Sequence, residues 1–177
     1  MGTIVTYTVV AFAFFLLIAK YDIHMFQLSS YRYSRYFRWL VPGNIISEKR
    51  FYALLVFVSA FLPMSWGLGF ATSITLWAWV DALREKFKTP LVYTMRVKRL
   101  LATNIILFAV ITALALLFAG EWAIAIIGAA LLFSNIIMLL ANLVNTPIEK
   151  AINRHYYNDA KRIIESHKGL IIIGVTG

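Results

Sequence analysis

The sequence predicts an all-α integral membrane protein of transmembrane and interfacial helices, ending in a short strand of the kind that opens a soluble α/β domain. Three observations carry this. Hydrophobic residues make up 61% of the chain and mean hydropathy is +0.77, which belongs to a bilayer protein rather than a soluble one. The basic residues are gathered into the stretches between apolar runs. After Asn145 the pattern changes to an amphipathic helix, a short apolar run and a glycine turn. The chain therefore divides into a membrane domain, 1–145, and a linker helix with a first strand, 146–177.

Thr3 to Ala19 carries no charge and is just long enough to cross a hydrocarbon core of about 30 Å. Met1-Gly2-Thr3 lacks the positive n-region of a secretory signal, and Lys20 follows the apolar run. That asymmetry predicts a retained anchor with its N-terminus outside. Met1-Gly2 also begins like a myristoylation signal, but the span already supplies the anchoring.

Residues 24–40 are different in kind. On a helical wheel Phe26, Tyr33, Phe37 and Leu40 cluster on one side, with Arg32, Arg35 and Arg38 in a stripe opposite. Such a segment lies in the interface, its rings among headgroups and its guanidiniums on phosphates. Pro42-Gly43-Asn44 reads as a turn.

Residues 51–80 are uncharged, too long for one comfortable span and too short for two. The flanking stretches 20–50 and 81–100 each hold six Lys or Arg, so both are expected on the cytoplasmic side. The segment between them then enters and returns on that side, turning near Pro63, Gly67 and Gly69 as a re-entrant or shallow hairpin. The rival reading is one long, kinked, tilted helix. Residues 84–99, interrupted at Thr89-Pro90, form a second interfacial segment whose Arg96, Lys98 and Arg99 join the three upstream arginines in a basic shelf for lipid or other phosphates.

Leu101–Ala119 and Trp122–Leu143 are the clearest spans, joined at Gly120-Glu121 on the outer side. All seventeen Lys and Arg then fall on one side, with Glu121 the charged side chain on the other. The net charge of +9 is accordingly assigned to cytoplasmic loops and anionic lipid, and no nucleic-acid partner is inferred. Asn135, near mid-span, is expected to supply interhelical hydrogen bonding. His24, His155 and His167 show no ligand spacing, so no metal site is assigned and each histidine is expected at an interface or surface. Asp22, Glu48, Asp81 and Glu85 are expected to be solvated in loops.

Thr146-Pro147-Ile148-Glu149 has the form of a helix start. Ile148, Ala151, Ile152, Tyr156, Ile163 and Ile164 recur at helical spacing, and Lys168-Gly169 reads as a stop. Leu170–Ile173 suits a strand buried on both faces, leading into Gly174-Val175-Thr176-Gly177. Glycines there let backbone N–H groups converge on a phosphate, although a Gly-x-x-Gly is equally an ordinary strand-ending turn.

The run from Asn145 to Ile164, with Leu170 to Gly177, resembles the junction in membrane-anchored Mur ligases, peptidoglycan-precursor ligases similar to the one that adds D-alanyl-D-alanine. Gly174, Val175, Thr176 and Gly177 match the first four positions of that family's G-x-T-G-x-x-G-K-[ST] loop, so Gly174, Thr176 and Gly177 are the candidate nucleotide-binding residues. Residues 27–40 and 89–100 look like its membrane part. The resemblance implies a chain cut at the start of the ATP-binding loop, the catalytic Lys and Mg-binding carboxylates lying downstream. The fragment itself would hold no cofactor and catalyse nothing, whereas the inferred parent would use ATP and Mg²⁺ to form an amide bond on a UDP-linked muramyl peptide. It also implies a bacterial inner (cytoplasmic) membrane location with a cytoplasmic C-terminus, and as partners anionic lipid, peptidoglycan-precursor enzymes or UDP-muramyl peptides. The alternative is a standalone small membrane protein acting as a lipid-binding adaptor or complex subunit.

Overall fold

A computed structural model describes residues 2–41 and 48–166, and among these the chain is entirely helical apart from its connecting turns and one extended segment. In order come α1 (Gly2–Leu28), α2 (Tyr33–Leu40), α3 (Glu48–Ser59), α4 (Met64–Arg84), α5 (Met95–Phe118), a single 3-10 turn (Gly120–Trp122), α6 (Ala123–Leu132) and α7 (Ser134–Ser166). Helices α1 and α5 are each long and apolar enough to cross a membrane. The expected turn at Pro42-Gly43-Asn44, the strand Leu170–Ile173 and the glycine turn Gly174–Gly177 lie outside the described residues.

Helix α1 is the centre of the bundle. It is apolar nearly all round, so no face is reserved for water, and α3, α4, α5, α6 and α7 all pack on it. Phe14, Phe15 and Ile18 are completely buried, and the Phe15 ring stacks on Phe108 of α5 at 3.9 Å. Helix α4 also packs on α1, and its buried residues are all small, Gly67, Ala71, Thr75 and Ala78, which lets its neighbours approach closely.

The expected boundary after Ala19 is not there. α1 runs on through Lys20, Asp22 and His24 to Leu28, because Asp22 and His24 find partners inside the protein and need not leave the helix for water. The helix ends at Ser30 and Tyr31, both left-handed at φ 55° and 57°. Neither is glycine, so the turn carries local strain, offset by the Tyr31 N–H bond to the Phe26 carbonyl and by packing of the Tyr31 ring on Phe26. Only residues 33–40 then form the separate amphipathic helix expected over 24–40.

Residues 51–80 form a helical hairpin rather than one kinked helix: α3 and α4 pack against each other across a turn at 60–63. Pro63 directly precedes α4, where its missing N–H costs nothing. The glycines expected at the turn are instead inside α4. Gly67 faces the Ser59 carbonyl so closely that a Cβ would clash, whereas Gly69 faces open space. Gly128 of α6 similarly sits against the Phe57 backbone of α3, 3.0 Å from where its Cβ would be.

The segment expected over 84–99 is divided: Arg84 ends α4, residues 85–94 are non-helical and largely extended with a bend at 88–89, and α5 begins at Met95, with the Thr94 hydroxyl accepting from the Val97 N–H as its cap. Gly120, at φ +53°, makes the turn into α6 that was expected of Gly120-Glu121.

Two expectations for the last span fail. Residues 122–143 are not one straight helix: α6 stops at Leu132 and α7 leaves at 72°. Nor does a helix begin at Pro147, which lies inside α7. The Thr146 hydroxyl donates backwards to the Asn142 carbonyl at 2.8 Å instead of capping a new helix, and Asn145 Nδ2 donates to Ala141 O at 3.0 Å. These side chains bond the carbonyls just upstream of the turn that the proline ring disturbs.

Gly67→Ala is expected to destabilise the α3–α4 hairpin by roughly 1–3 kcal/mol, the usual cost of overpacking, while Gly69→Ala stays near neutral. Unfolding of the two variants in mixed detergent–SDS micelles, followed by tryptophan fluorescence, checks the contrast.

Candidate functional site

The charged side chains are gathered at one end of the bundle. The C-terminal third of α1, the start of α3, the end of α4, residues 85–94 and the start of α5 meet there, joined by Arg50–Asp22, Lys49–Asp81, Gln27–Val92 and Arg99–Glu149 contacts. All described Lys and Arg lie at this end or on the part of α7 that leaves it. The opposite end, where Thr3, Leu62 and Gly120 come together, holds Glu121.

The interior of the basic end is an ion pair. Asp22 of α1 is completely buried and accepts from Arg50 of α3 at 3.1 Å and from the Ser134 hydroxyl of α7 at 2.6 Å. Loop solvation, the expectation for Asp22, is therefore overturned. A helix-bound carboxylate deprived of water requires a cation and a donor, and residues far away in sequence supply both. The Tyr36 hydroxyl and Arg50 Nε are sealed in the same region with no hydrogen-bond partner among the described residues. Burial, reinforced by the Asp22 charge, pushes the Tyr36 hydroxyl far above the ordinary tyrosine range despite the opposing Arg50 charge.

A second cluster closes the hairpin. Lys49 of α3 meets Asp81 at 2.8 Å and Glu85 at 3.0 Å, at the end of α4. Burial alone would push its ammonium down, but hydrogen bonds to the two carboxylates outweigh this and hold it above the ordinary value of 10.5. Asp81 and Glu85 are thus bound by a lysine rather than free in a loop.

The six cations expected to form a lipid- or phosphate-binding shelf divide into two kinds. Arg32, Arg35, Arg38 and Lys98 are exposed, Arg35 donating to Ser30 Oγ at 3.2 Å. Arg96 lies over the Tyr31 ring at 3.9 Å, a cation–π contact that brings the start of α5 to the turn before α2. Arg99 is held by Glu149 at 2.6 Å. Arg96 and Arg99 are thus engaged by the protein itself, which leaves Arg32, Arg35, Arg38 and Lys98 as the exposed members of the expected set. Gly174, Thr176 and Gly177 lie outside the described residues.

His24 is buried rather than interfacial, its Nε2–H donating to the Thr89 carbonyl at 2.8 Å while the ring meets Phe87 edge-on. This contact pins the extended segment to α1, and nothing in the spacing of residues 24 and 89 signals it. The interhelical hydrogen bonding expected of Asn135 falls to other amides. Asn145 donates to Thr103 Oγ1 of α5 at 2.9 Å and Asn142 to Tyr33 Oη at 2.8 Å, whereas Asn135 Oδ1 is buried without a partner among the described residues. Among those residues no three His, Asp or Glu side chains are grouped to hold a metal ion.

No family model, curated protein or solved structure matches the chain. Its function has to be sought in its own geometry: an apolar helical body with two helices long and apolar enough to cross a membrane, a basic end locked internally by two carboxylate–cation clusters, and a helix that leaves from that end.

Asp22→Ala is expected to cost roughly 3–5 kcal/mol, because Arg50 is left buried and unpaired, whereas the double variant Asp22→Leu/Arg50→Met recovers most of that loss. Unfolding in mixed micelles compares the three proteins. The Lys49 cluster gives a pH test. A lysine raised on folding contributes stability that is complete below its unfolded value and lost as pH rises through the higher folded one. Wild-type protein should lose stability as pH rises above the ordinary lysine value of 10.5, and Lys49→Met should lack the part of that step due to this residue, as read from melting temperature against pH.

Proposed function

We propose that the chain is a membrane anchor that holds a soluble ATP-dependent ligase domain of Mur type against the cytoplasmic face of a bacterial inner membrane, and that it is itself non-catalytic. The observation that carries the anchor is the direction of α7. It leaves the bundle at the basic end, and from Lys150 to Ser166 no residue is buried. That stretch extends about 25 Å at 1.5 Å per residue, enough to clear a headgroup layer. Cations on one side only are the pattern expected of a cytoplasmic face, so a domain carried beyond α7 is delivered where ATP is.

The apolar positions Ile148, Ile152, Tyr156 and Ile163 run down this rod at helical spacing with little or no burial, which suits docking of a soluble domain. The ligase identity rests on the resemblance of residues 145–164 and 170–177 to the Mur junction, with Gly174, Thr176 and Gly177 beginning the ATP loop. The exposed Arg32, Arg35, Arg38 and Lys98 would hold the anchor's basic end on anionic lipid. Tethering places such a ligase beside the membrane enzymes that consume its product.

Single cysteines at Thr89, Gly120 and Ser166, labelled on intact cells with a membrane-impermeant maleimide, test the topology. Labelling only at 120 is expected, and labelling at 166 sinks the proposal. The ligase identity is tested separately by the coding sequence after Gly177. A Gly-Lys-Ser/Thr within the next five positions supports it, and a stop codon there overturns it.

A further inference from the structure

Beside the ion-pair clusters, α1, α4 and the extended segment 85–94 enclose a half-open cavity of about 320 Å³, at the small end of the range for sites that hold small molecules. Its walls change character along the bundle axis. On the apolar side are Leu17, Trp79 and Leu83. The Trp79 indole N–H is tied to the Ala13 carbonyl at 3.2 Å, while Leu83 is 80% exposed, so this side opens laterally onto the outer apolar surface of the bundle. On the polar side are Lys20, His24, Lys49 and Glu85. The rings of Tyr21, Phe87 and Tyr93 also line the cavity, and tyrosine is a side chain that settles at the headgroup level of a bilayer.

The charges in this wall are of both signs and separated. Lys49 is shared by Asp81 and Glu85, which leaves that cluster one negative charge in excess. Lys20, on the α1 wall, has no ion-pair or hydrogen-bond partner among the described residues. His24 spends its Nε2 on the Thr89 carbonyl, leaving Nδ1 as the ring's other polar atom one turn below Lys20. A ligand matched to these walls carries an anionic group for Lys20, a cationic group for Glu85 and an apolar tail leaving past Trp79 and Leu83. A phosphate diester bearing an ammonium and acyl chains has all three.

We propose that this cavity binds the headgroup of a zwitterionic glycerophospholipid of the ethanolamine class, with its phosphate on Lys20, its ammonium on Glu85 and the first methylenes of its chains between Leu17, Trp79 and Leu83. The site is distinct from the exposed arginines of α2, which face the general anionic field of the surface. It rests on the membrane reading of the chain and not on the ligase identity. A zwitterion is preferred over a purely anionic lipid because the surplus carboxylate repels a second negative charge while pairing with an ammonium.

The test is native mass spectrometry of the full chain released from detergent micelles carrying equal amounts of phosphatidylethanolamine and phosphatidylglycerol. Wild-type protein should retain one phosphatidylethanolamine in preference to phosphatidylglycerol. Lys20→Gln should weaken that retention about tenfold, the effect of one charge-assisted hydrogen bond, and Lys20→Arg should keep it. Glu85→Gln should turn the preference toward phosphatidylglycerol. Equal or greater retention of phosphatidylglycerol by the wild-type chain overturns the proposal, because plain basic attraction then accounts for binding. Displacement of the lipid by millimolar phosphoethanolamine would show a soluble-phosphate site and overturns the lipid assignment. The wild-type competition needs no variant to fold, and the outcome of cysteine labelling at 166 does not affect it.

Discussion

The Asp22–Arg50–Ser134 contact is the constraint on which the rest of the structure depends. It joins α1, α3 and the first residue of α7 at one point, so it sets the α3–α4 hairpin against α1 and lies where α7 turns away from α6. A buried ion pair is a weak source of net stability, since both ions lose their water. Its force is as a specification. Any other arrangement of these helices would leave a carboxylate or a guanidinium alone in an apolar interior, and that outcome is far more costly than the pair itself.

The bend at Phe133 follows from the same contact. No proline or glycine stands there, and the apolar run of 122–143 reads as continuous. What interrupts it is the demand of Asp22 for a second donor, met by the Ser134 hydroxyl, after which α7 can cross α5 and engage it through Asn145–Thr103 and Arg99–Glu149. The break thus converts a simple helical hairpin into a body with an arm. From Lys150 to Ser166 none of the arm's residues is buried, and under the proposed anchoring role that surface would face a soluble domain while the basic end faced an anionic leaflet.

Lys49 and His24 do a related job at lower depth. Lys49 binds the end of α4 to the start of α3, and His24 holds residues 85–94 against α1. Together with Trp79 on Ala13 these contacts keep α1, α4 and the extended segment apart by a fixed distance, and the cavity between them is the result. Its polar and aromatic lining is assembled from separate stretches of sequence, at residues 20–24, 49, 85 and 87–93, which is why no local motif marks it.

Composition and the local distribution of charge were enough to give the helical body, the apolar runs that become α1 and α5, the helical hairpin within 51–80, the turn at Gly120 and the segregation of Lys and Arg into particular stretches. Those properties act residue by residue, so a linear reading reaches them. It does not reach the continuation of α1 past Lys20, the use of Gly67 for close packing in place of a turn, the position of Pro147 within a helix or the engagement of Arg96 and Arg99 by Tyr31 and Glu149. The outcomes at Asp22, Arg96 and Arg99 each turn on a partner far away in the chain, and that at Gly67 on how α3 and α4 pack across their turn. A charged or polar group read alone is expected to seek water, and whether a distant residue can replace that water is settled when the helices pack.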